Sequence, residues 1–133
     1  MGVSGCGKTT VGQTLAENLD IPFYDADDFH PDANIKKMSA GLPLNDEDRL
    51  PWLESLSSLI ATWGKEEGAV LACSALKASY RDILQSNHPS TVFVFLNADE
   101  AIIRERFAAR SGHFMPESLI ASQFATLEAP VDA

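Results

Sequence analysis

The sequence predicts an α/β fold in which helices flank a parallel sheet in three layers, and three observations carry that expectation. Short continuous apolar runs alternate with longer stretches of helical spacing. Two of the runs, Ala69-Val70-Leu71-Ala72-Cys73 and Val92-Phe93-Val94-Phe95-Leu96, have the composition of strands buried on both faces. A glycine-rich turn, Gly2 to Gly7, opens directly into a segment of helical pattern.

Within that frame, Val11, Leu15 and Leu19 recur every four residues on one face of a first helix. Ile21-Pro22-Phe23-Tyr24 reads as a short strand ending at Asp25. Gly41 ends a small helix begun at Pro31. From Pro51, the apolar positions Trp52, Leu53, Leu56, Leu59, Ile60 and Trp63 keep i, i+3, i+4 spacing until Gly64 and Gly68 intervene. Each apolar run is then followed by a helix, over 75–85 and 99–110, that returns the chain across the sheet, and Pro116 opens a last helix running to about Leu127.

With 133 residues, 45% of them hydrophobic, and no repeat or linker, the chain suits one domain spanning 1–133. That domain is expected to be partial. A glycine turn of this kind joins a buried strand to a helix, yet here it begins at residue 2, and Leu127-Glu128-Ala129-Pro130 ends the chain without a further apolar strand. The first and last strands of the sheet are therefore expected to be missing, leaving apolar edges on their neighbours.

Composition narrows the function classes. No apolar run approaches the ~20 residues that cross a bilayer, and no basic-then-apolar leader opens the chain, which points to a cytoplasmic protein without a membrane partner. The two cysteines, Cys6 and Cys73, are expected to be free thiols. A net charge of −9 argues against nucleic-acid binding, because affinity for a phosphate backbone needs clustered Lys and Arg. Any anionic ligand must accordingly meet a few local cations, oriented amides or a metal.

Gly2-Val3-Ser4-Gly5-Cys6-Gly7-Lys8-Thr9 supplies such a place. It fits G-x-x-x-x-G-K-S/T, where glycines let backbone N–H groups wrap phosphate oxygens and the following helix directs its positive end at them. The expected nucleotide set is Gly2, Val3, Ser4, Gly5, Cys6, Gly7, Lys8, Thr9 and Thr10 around ATP. Lys8 reaches the β- and γ-phosphates as a catalytic group, and the Thr9 hydroxyl meets Mg²⁺.

Many phosphate-loop proteins carry a metal-organising Asp at the end of a later apolar strand, but Ala69–Cys73 ends without one. The carboxylates sit earlier, in Asp25-Ala26-Asp27-Asp28, close to His30. In extended backbone Asp25 and Asp27 face the same side, so one can organise the metal while the other accepts a proton from an attacking hydroxyl. Asp25 is assigned to the metal and Asp27 to the base, in contact with substrate. The competing reading is a solvated acidic turn capping the next helix, which suits Asp28.

Together these residues resemble the gluconokinase family, relatives of shikimate kinase within the nucleoside-monophosphate-kinase-like group of the P-loop NTPase fold. The resemblance rests on Met1-Gly2-Val3-Ser4-Gly5, Tyr24-Asp25-Ala26-Asp27-Asp28-Phe29-His30-Pro31, Pro43-Leu44-Asn45-Asp46-Glu47-Asp48-Arg49 with Pro51-Trp52-Leu53, and Cys73-Ser74-Ala75-Leu76-Lys77 with Tyr80-Arg81-Asp82. Gly112-His113-Phe114-Met115 and Gln123-Phe124 with Thr126-Leu127-Glu128 complete it. It implies phosphorylation of D-gluconate to 6-phospho-D-gluconate, and suggests a homodimer. A sugar acid needs cations for its carboxylate, and Arg49, Lys77 and Arg81 are candidates alongside His30, although Lys77, Arg81 and Asp82 can also pair locally on a helix. Arg106 and Arg110 lead into the segment where the resemblance places a lid, around 110–120, and Arg110 is the preferred catalytic cation. The alternatives are a kinase for shikimate or a nucleoside monophosphate, and a nucleotide-binding protein without turnover.

Overall fold

In the computed structural model, which describes residues 1–109 and 117–130, the elements follow in the order α1 (Lys8–Leu19), β1 (Phe23–Asp25), a 3₁₀ turn (Ala26–Phe29), α2 (Asp32–Ser39), α3 (Asp46–Lys65), β2 (Val70–Ala72), α4 (Ala78–Gln85), α5 (Glu100–Ala109) and α6 (Glu117–Thr126). β1 and β2 are parallel neighbours, with Phe23 opposite Val70, Tyr24 opposite Leu71 and Asp25 opposite Ala72. Alternation along the strand sends successive side chains to opposite faces, and both faces are covered. Phe23 lies under α1, so close to Gly12 that a Cβ there would meet its ring at 2.7 Å. Tyr24 turns the other way and stacks on Trp63 of α3, centroids 4.3 Å apart. Helices thus flank a parallel sheet, as the sequence predicts.

The larger core joins α3 and α4 to the ends of the strands through Trp52, Leu53, Leu56, Cys73, Tyr80 and Leu84. A second cluster of Val3, Ile103 and Ile120 packs α5 and α6 beneath the glycine turn, with Leu76, Phe124 and Leu127 at its edge.

Two expectations are corrected. α3 begins at Asp46, five positions before Pro51, because Asn45 and Asp48 form a capping box: the Asn45 side chain accepts from the Asp48 N–H at 2.8 Å and the Asp48 carboxylate accepts from the Asn45 N–H at 3.0 Å. Pro51, the sixth residue of the helix, lies in its second turn, where it removes one backbone bond, to the Glu47 carbonyl, from an otherwise continuous helix. The run Val92–Leu96 is not a strand. Its ladder is confined to Met1, whose ammonium donates to the Val94 carbonyl at 2.6 Å and whose carbonyl accepts from the Leu96 N–H at 3.0 Å. Two rungs against one residue do not propagate a sheet, and Val92 stays 82% exposed.

Met1 and Gly2 occupy the mouth of a slot between β2 and residues 92–96, since the Gly2 N–H also bonds the Ser74 carbonyl at 3.1 Å. The slot is an apolar cavity of about 450 Å³, lined by Val11, Leu15 and Leu19 of α1, by β2 and by Phe93 and Val94. The stripe on α1 therefore forms as its spacing predicts, yet its three residues remain 44%, 37% and 57% exposed. Among the described residues, no helix is long and apolar enough to cross a membrane.

An extended apolar segment entering this slot would bury several side chains and complete backbone pairing on both sides, at roughly 1.5–3 kcal/mol per buried Val or Ile. Placing five β-branched residues ahead of Met1 is expected to raise Tm by roughly 5–10 °C in a calorimetric scan, whereas a Gly/Ser extension of equal length leaves it unchanged.

Candidate active site at the phosphate loop

The glycine turn is built by backbone geometry that side chains disfavour. Gly5 and Gly7 take φ of 81° and 99°, and a Cβ on Gly2 would lie 2.8 Å from the Cys6 sulfur and 3.0 Å from the Leu96 carbonyl oxygen. Gly7 caps α1 without any side-chain bond, so the first amides of the helix are left for a ligand. The Lys8 ammonium folds back to the Gly2 and Val3 carbonyls at 3.0 and 2.9 Å, closing the loop around its own cation.

A polar cavity of about 260 Å³ opens above this loop. Its walls bring Ser4, Gly5, Gly7, Lys8, Thr9 and Thr10 together with Asp25 and Asp27 from the end of β1 and with Ala72, Cys73 and Ser74 from the end of β2. The sequence-predicted phosphate loop and acidic pair thus share one space. Parallel pairing of β1 with β2 produces this, because both strands deliver their C-terminal ends to the same edge. Burial pushes the Cys73 thiol up to about 11, so it stays a neutral wall group rather than a nucleophile.

Asp27 does not follow Asp25 along extended backbone as the sequence predicts: it lies in the 3₁₀ turn that Asp25 caps, the Asp25 Oδ1 accepting from the Asp27 N–H at 3.0 Å, and that turn is what carries both carboxylates to the cavity. Partial withdrawal from solvent, and then the Asp25 charge, push the Asp27 carboxyl upward from its ordinary value, with His30 and Lys8 opposing. The Asp27 side chain is nevertheless 82% exposed, so water screens the effect. His30 is the buried member of the pair, 4% exposed, with Nε2 3.7 Å from Asp27 Oδ1. It stacks on Trp52 at 4.2 Å, and its Nδ1 lies 3.2 Å from the amide nitrogen of the buried Asn34. With Asn34 donating, Nδ1 is the acceptor and Nε2 carries the hydrogen toward Asp27; this tautomer is assigned from the hydrogen-bond network. Burial holds His30 below its ordinary pKa, Asp27 opposing and Arg49 reinforcing. The Trp52 indole N–H ties the turn to α3 by donating to the Ala26 carbonyl at 2.8 Å.

The three cations expected to meet a sugar acid separate into two groups. Arg49 and Lys77 converge on Tyr80, 5.6 and 5.5 Å from its ring centroid. Arg49 donates to the Tyr80 hydroxyl at 3.0 Å, Tyr80 donates in turn to Asp46, and Lys77 pairs with Asp46 at 3.0 Å. Arg81 is placed differently. It is 8% exposed and its guanidinium donates to the carbonyls of Ala75, Leu76 and Glu128 at 2.7, 3.2 and 2.7 Å. Those bonds hold Ala75 in its left-handed conformation, φ 46°. Arg110 lies outside the described residues, as does the expected lid as far as residue 116; residues 117–120 begin α6.

Tyr80, Asn34 and Gln123 shape the site without any role expected of them from the sequence, and Arg106 takes a different one. Tyr80 is the hub of the cationic group, and Asn34, at i+4 from His30, orients the imidazole. Arg106, weighed second to Arg110, donates to the Gly5 carbonyl of the phosphate loop at 3.0 Å. Gln123 reaches Ser4 across 119 residues, a partnership that no local pattern announces.

For a divalent metal, Thr9 and Asp25 offer hard oxygen donors in the same cavity, the donor type Mg²⁺ prefers. Among the described residues there is no cluster of three or more His, Cys, Asp or Glu able to cage an ion. That donor set fits a metal carried largely by phosphate oxygens and water.

A family model described as shikimate kinase matches residues 4–119. The chain is 50% identical to the thermosensitive gluconokinase of Escherichia coli K12 over 131 residues, covering 98% of this chain and 70% of that protein. It is 48% identical to a gluconokinase of Gluconobacter oxydans, over 99% of this chain and 75% of the relative. A crystal structure of a gluconokinase from Sinorhizobium meliloti superimposes with a TM-score of 0.88 at 48% identity, covering 98% of this chain and 74% of that one. With the family model spanning most of the sequence and relatives at this identity matching almost all of it, the chain belongs to the shikimate-kinase family, in its gluconokinase branch.

Proposed function

We infer that the chain transfers the γ-phosphoryl group of ATP to D-gluconate, giving 6-phospho-D-gluconate and ADP, as a cytoplasmic enzyme. The observation that carries this reading is the single polar cavity shared by Lys8, Thr9, Asp25 and Asp27. The choice of acceptor is supported by the relatives named gluconokinase.

Amides of the phosphate loop and of the start of α1 hold the β- and γ-phosphates, and the Lys8 ammonium, already oriented by two loop carbonyls, sits against them. Thr9 and Asp25 would hold Mg²⁺ together with the phosphates, and the ion would supply the charge neutralisation that a chain of net charge −9 lacks. Asp27 accepts the proton as the acceptor hydroxyl attacks the γ-phosphorus. A new P–O bond forms to the sugar acid while the bond to the β–γ bridging oxygen breaks and ADP leaves. The His30 Nε2, 3.7 Å from Asp27 Oδ1, lies beside the carboxylate as a near polar neighbour. Arg49 and Lys77, adjoining this acid through His30 and Tyr80, bind the gluconate carboxylate, which would compete with Asp46 for Lys77.

Coupled ADP release with ATP and Mg²⁺ is expected to depend on D-gluconate; turnover of shikimate or a nucleoside monophosphate in its place would overturn the acceptor assignment, and none with any acceptor would overturn the kinase reading.

Asp27→Asn should lower kcat by about 10²–10⁴-fold with ATP affinity retained. Because the Asp27 carboxyl holds its proton more tightly in the folded than in the unfolded chain, ionisation there costs rather than adds stability. Asp27→Asn should therefore leave Tm unchanged or slightly higher, and the parent's kcat should fall on acidification through a pKa above the ordinary aspartate value of about 3.9.

Arg49→Gln should raise KM for gluconate by about tenfold with an unchanged Tm. Arg81→Gln, which strands the buried Ala75 carbonyl and loosens the partly buried Leu76 and Glu128 carbonyls, should lower stability by roughly 1–3 kcal/mol in denaturant titration.

A further inference from the structure

The phosphate loop is held from outside by one side chain whose chemistry matches it at two points. Gln123 on α6 accepts from the Ser4 N–H through Oε1 at 2.6 Å and donates from Nε2 to the Ser4 hydroxyl at 2.9 Å. A primary amide carries its acceptor and donors in one plane, so two bonds to one residue set that residue's orientation as well as its position. Ile120 and Phe124, flanking Gln123 on the same helix, pack with Val3 and Leu76 and fix the distance between α6 and the loop.

The segment continues as a strap. The Leu127 N–H closes on the Gln123 carbonyl at 2.9 Å, and the Glu128 N–H then bonds the Leu76 carbonyl at 2.7 Å. The Glu128 carboxylate accepts from the Ala78 N–H at 2.7 Å, capping α4, whose own N-cap residue, Lys77, makes no side-chain cap bond. The Glu128 carbonyl accepts from Arg81 at 2.7 Å. Six residues therefore clamp the loop at one end and, at the other, the turn carrying Lys77 and Tyr80.

We propose that Gln123 is a positioning residue for the nucleotide: by occupying the Ser4 N–H and hydroxyl it holds the phosphate loop in its binding shape, so that the loop meets the phosphates without reorganisation. This rests on the reading of the loop as the ATP site. Its energetic logic is preorganisation, since a loop already ordered loses less freedom when ligand binds.

The test uses the full chain with Gln123→Met, which keeps the volume and removes both bonds, and Gln123→Glu, which can still accept from the Ser4 N–H and hydroxyl. Amide hydrogen exchange without nucleotide is expected to quicken about tenfold at residues 4–7 in Q123M and to stay protected in Q123E. In Q123M, KM for ATP is expected to rise about tenfold while KM for gluconate stays within about twofold. Unchanged exchange at residues 4–7, or faster exchange spread evenly through α6 and its core, overturns the proposal. If Q123M does not fold, Gln123→Asn, one methylene short of Ser4, is read the same way. A parent chain that binds no ATP defeats the functional reading, and the exchange comparison then still decides whether Gln123 orders the loop.

Discussion

The structure depends on one electrostatic constraint: a chain of net charge −9 must hold a polyanion. It has no general field to draw phosphate in, so attraction has to come from dipoles and single cations placed at short range, where screening by water and salt is weakest. The turn from Gly2 to Gly7 answers this by folding the Gly2 and Val3 carbonyls onto the Lys8 ammonium and ending at a helix start that no side chain caps. Such a loop has little packing of its own. Its positive-φ glycines make it costly to order, and remote parts of the chain supply the order.

Three remote segments do so. Ser74, at the end of β2, accepts from the Gly2 N–H; Gln123 takes both polar groups of Ser4; and Arg106 donates to the Gly5 carbonyl. The same economy governs the acidic side, where Trp52, Asn34 and His30 lock the turn carrying Asp27 by one buried bond, one amide contact and one ring stack. Asp27 itself remains open to water, as a group that must give up and take protons requires, while its supports are buried.

The cationic side follows a different rule. Arg49 and Lys77 reach the surface and are balanced by Asp46 through Tyr80, so they stay exchangeable toward an incoming carboxylate. Arg81, one residue beyond Tyr80, is buried and committed to three backbone carbonyls. Three cations with one expected role thus divide between a half-buried, exchangeable pair and a buried guanidinium committed to the backbone, a distinction that helical spacing alone does not make.

What the sequence determined by itself is what short spacing encodes. The phosphate loop, the helix after it and the apolar strand Val70–Ala72 all depend on backbone geometry over a few residues, and all were legible; the acidic pair was legible as residues, but Asp27 reaches the site from a 3₁₀ turn and not from extended strand. A capping box before Pro51 was also written there, in Asn45 and Asp48, and simple apolar periodicity passed over it. Tertiary structure decided the rest. The run Val92–Leu96 has strand composition but no continuous neighbour to bond, since a strand exists only as half of a pair. The union of Asp25 and Asp27 with Lys8 and Thr9 required β1 and β2 to lie parallel with their ends together. The grip of Gln123 on Ser4 spans 119 residues, and hydrogen bonds over such a distance are specified by packing of whole helices, which no local pattern of residues contains.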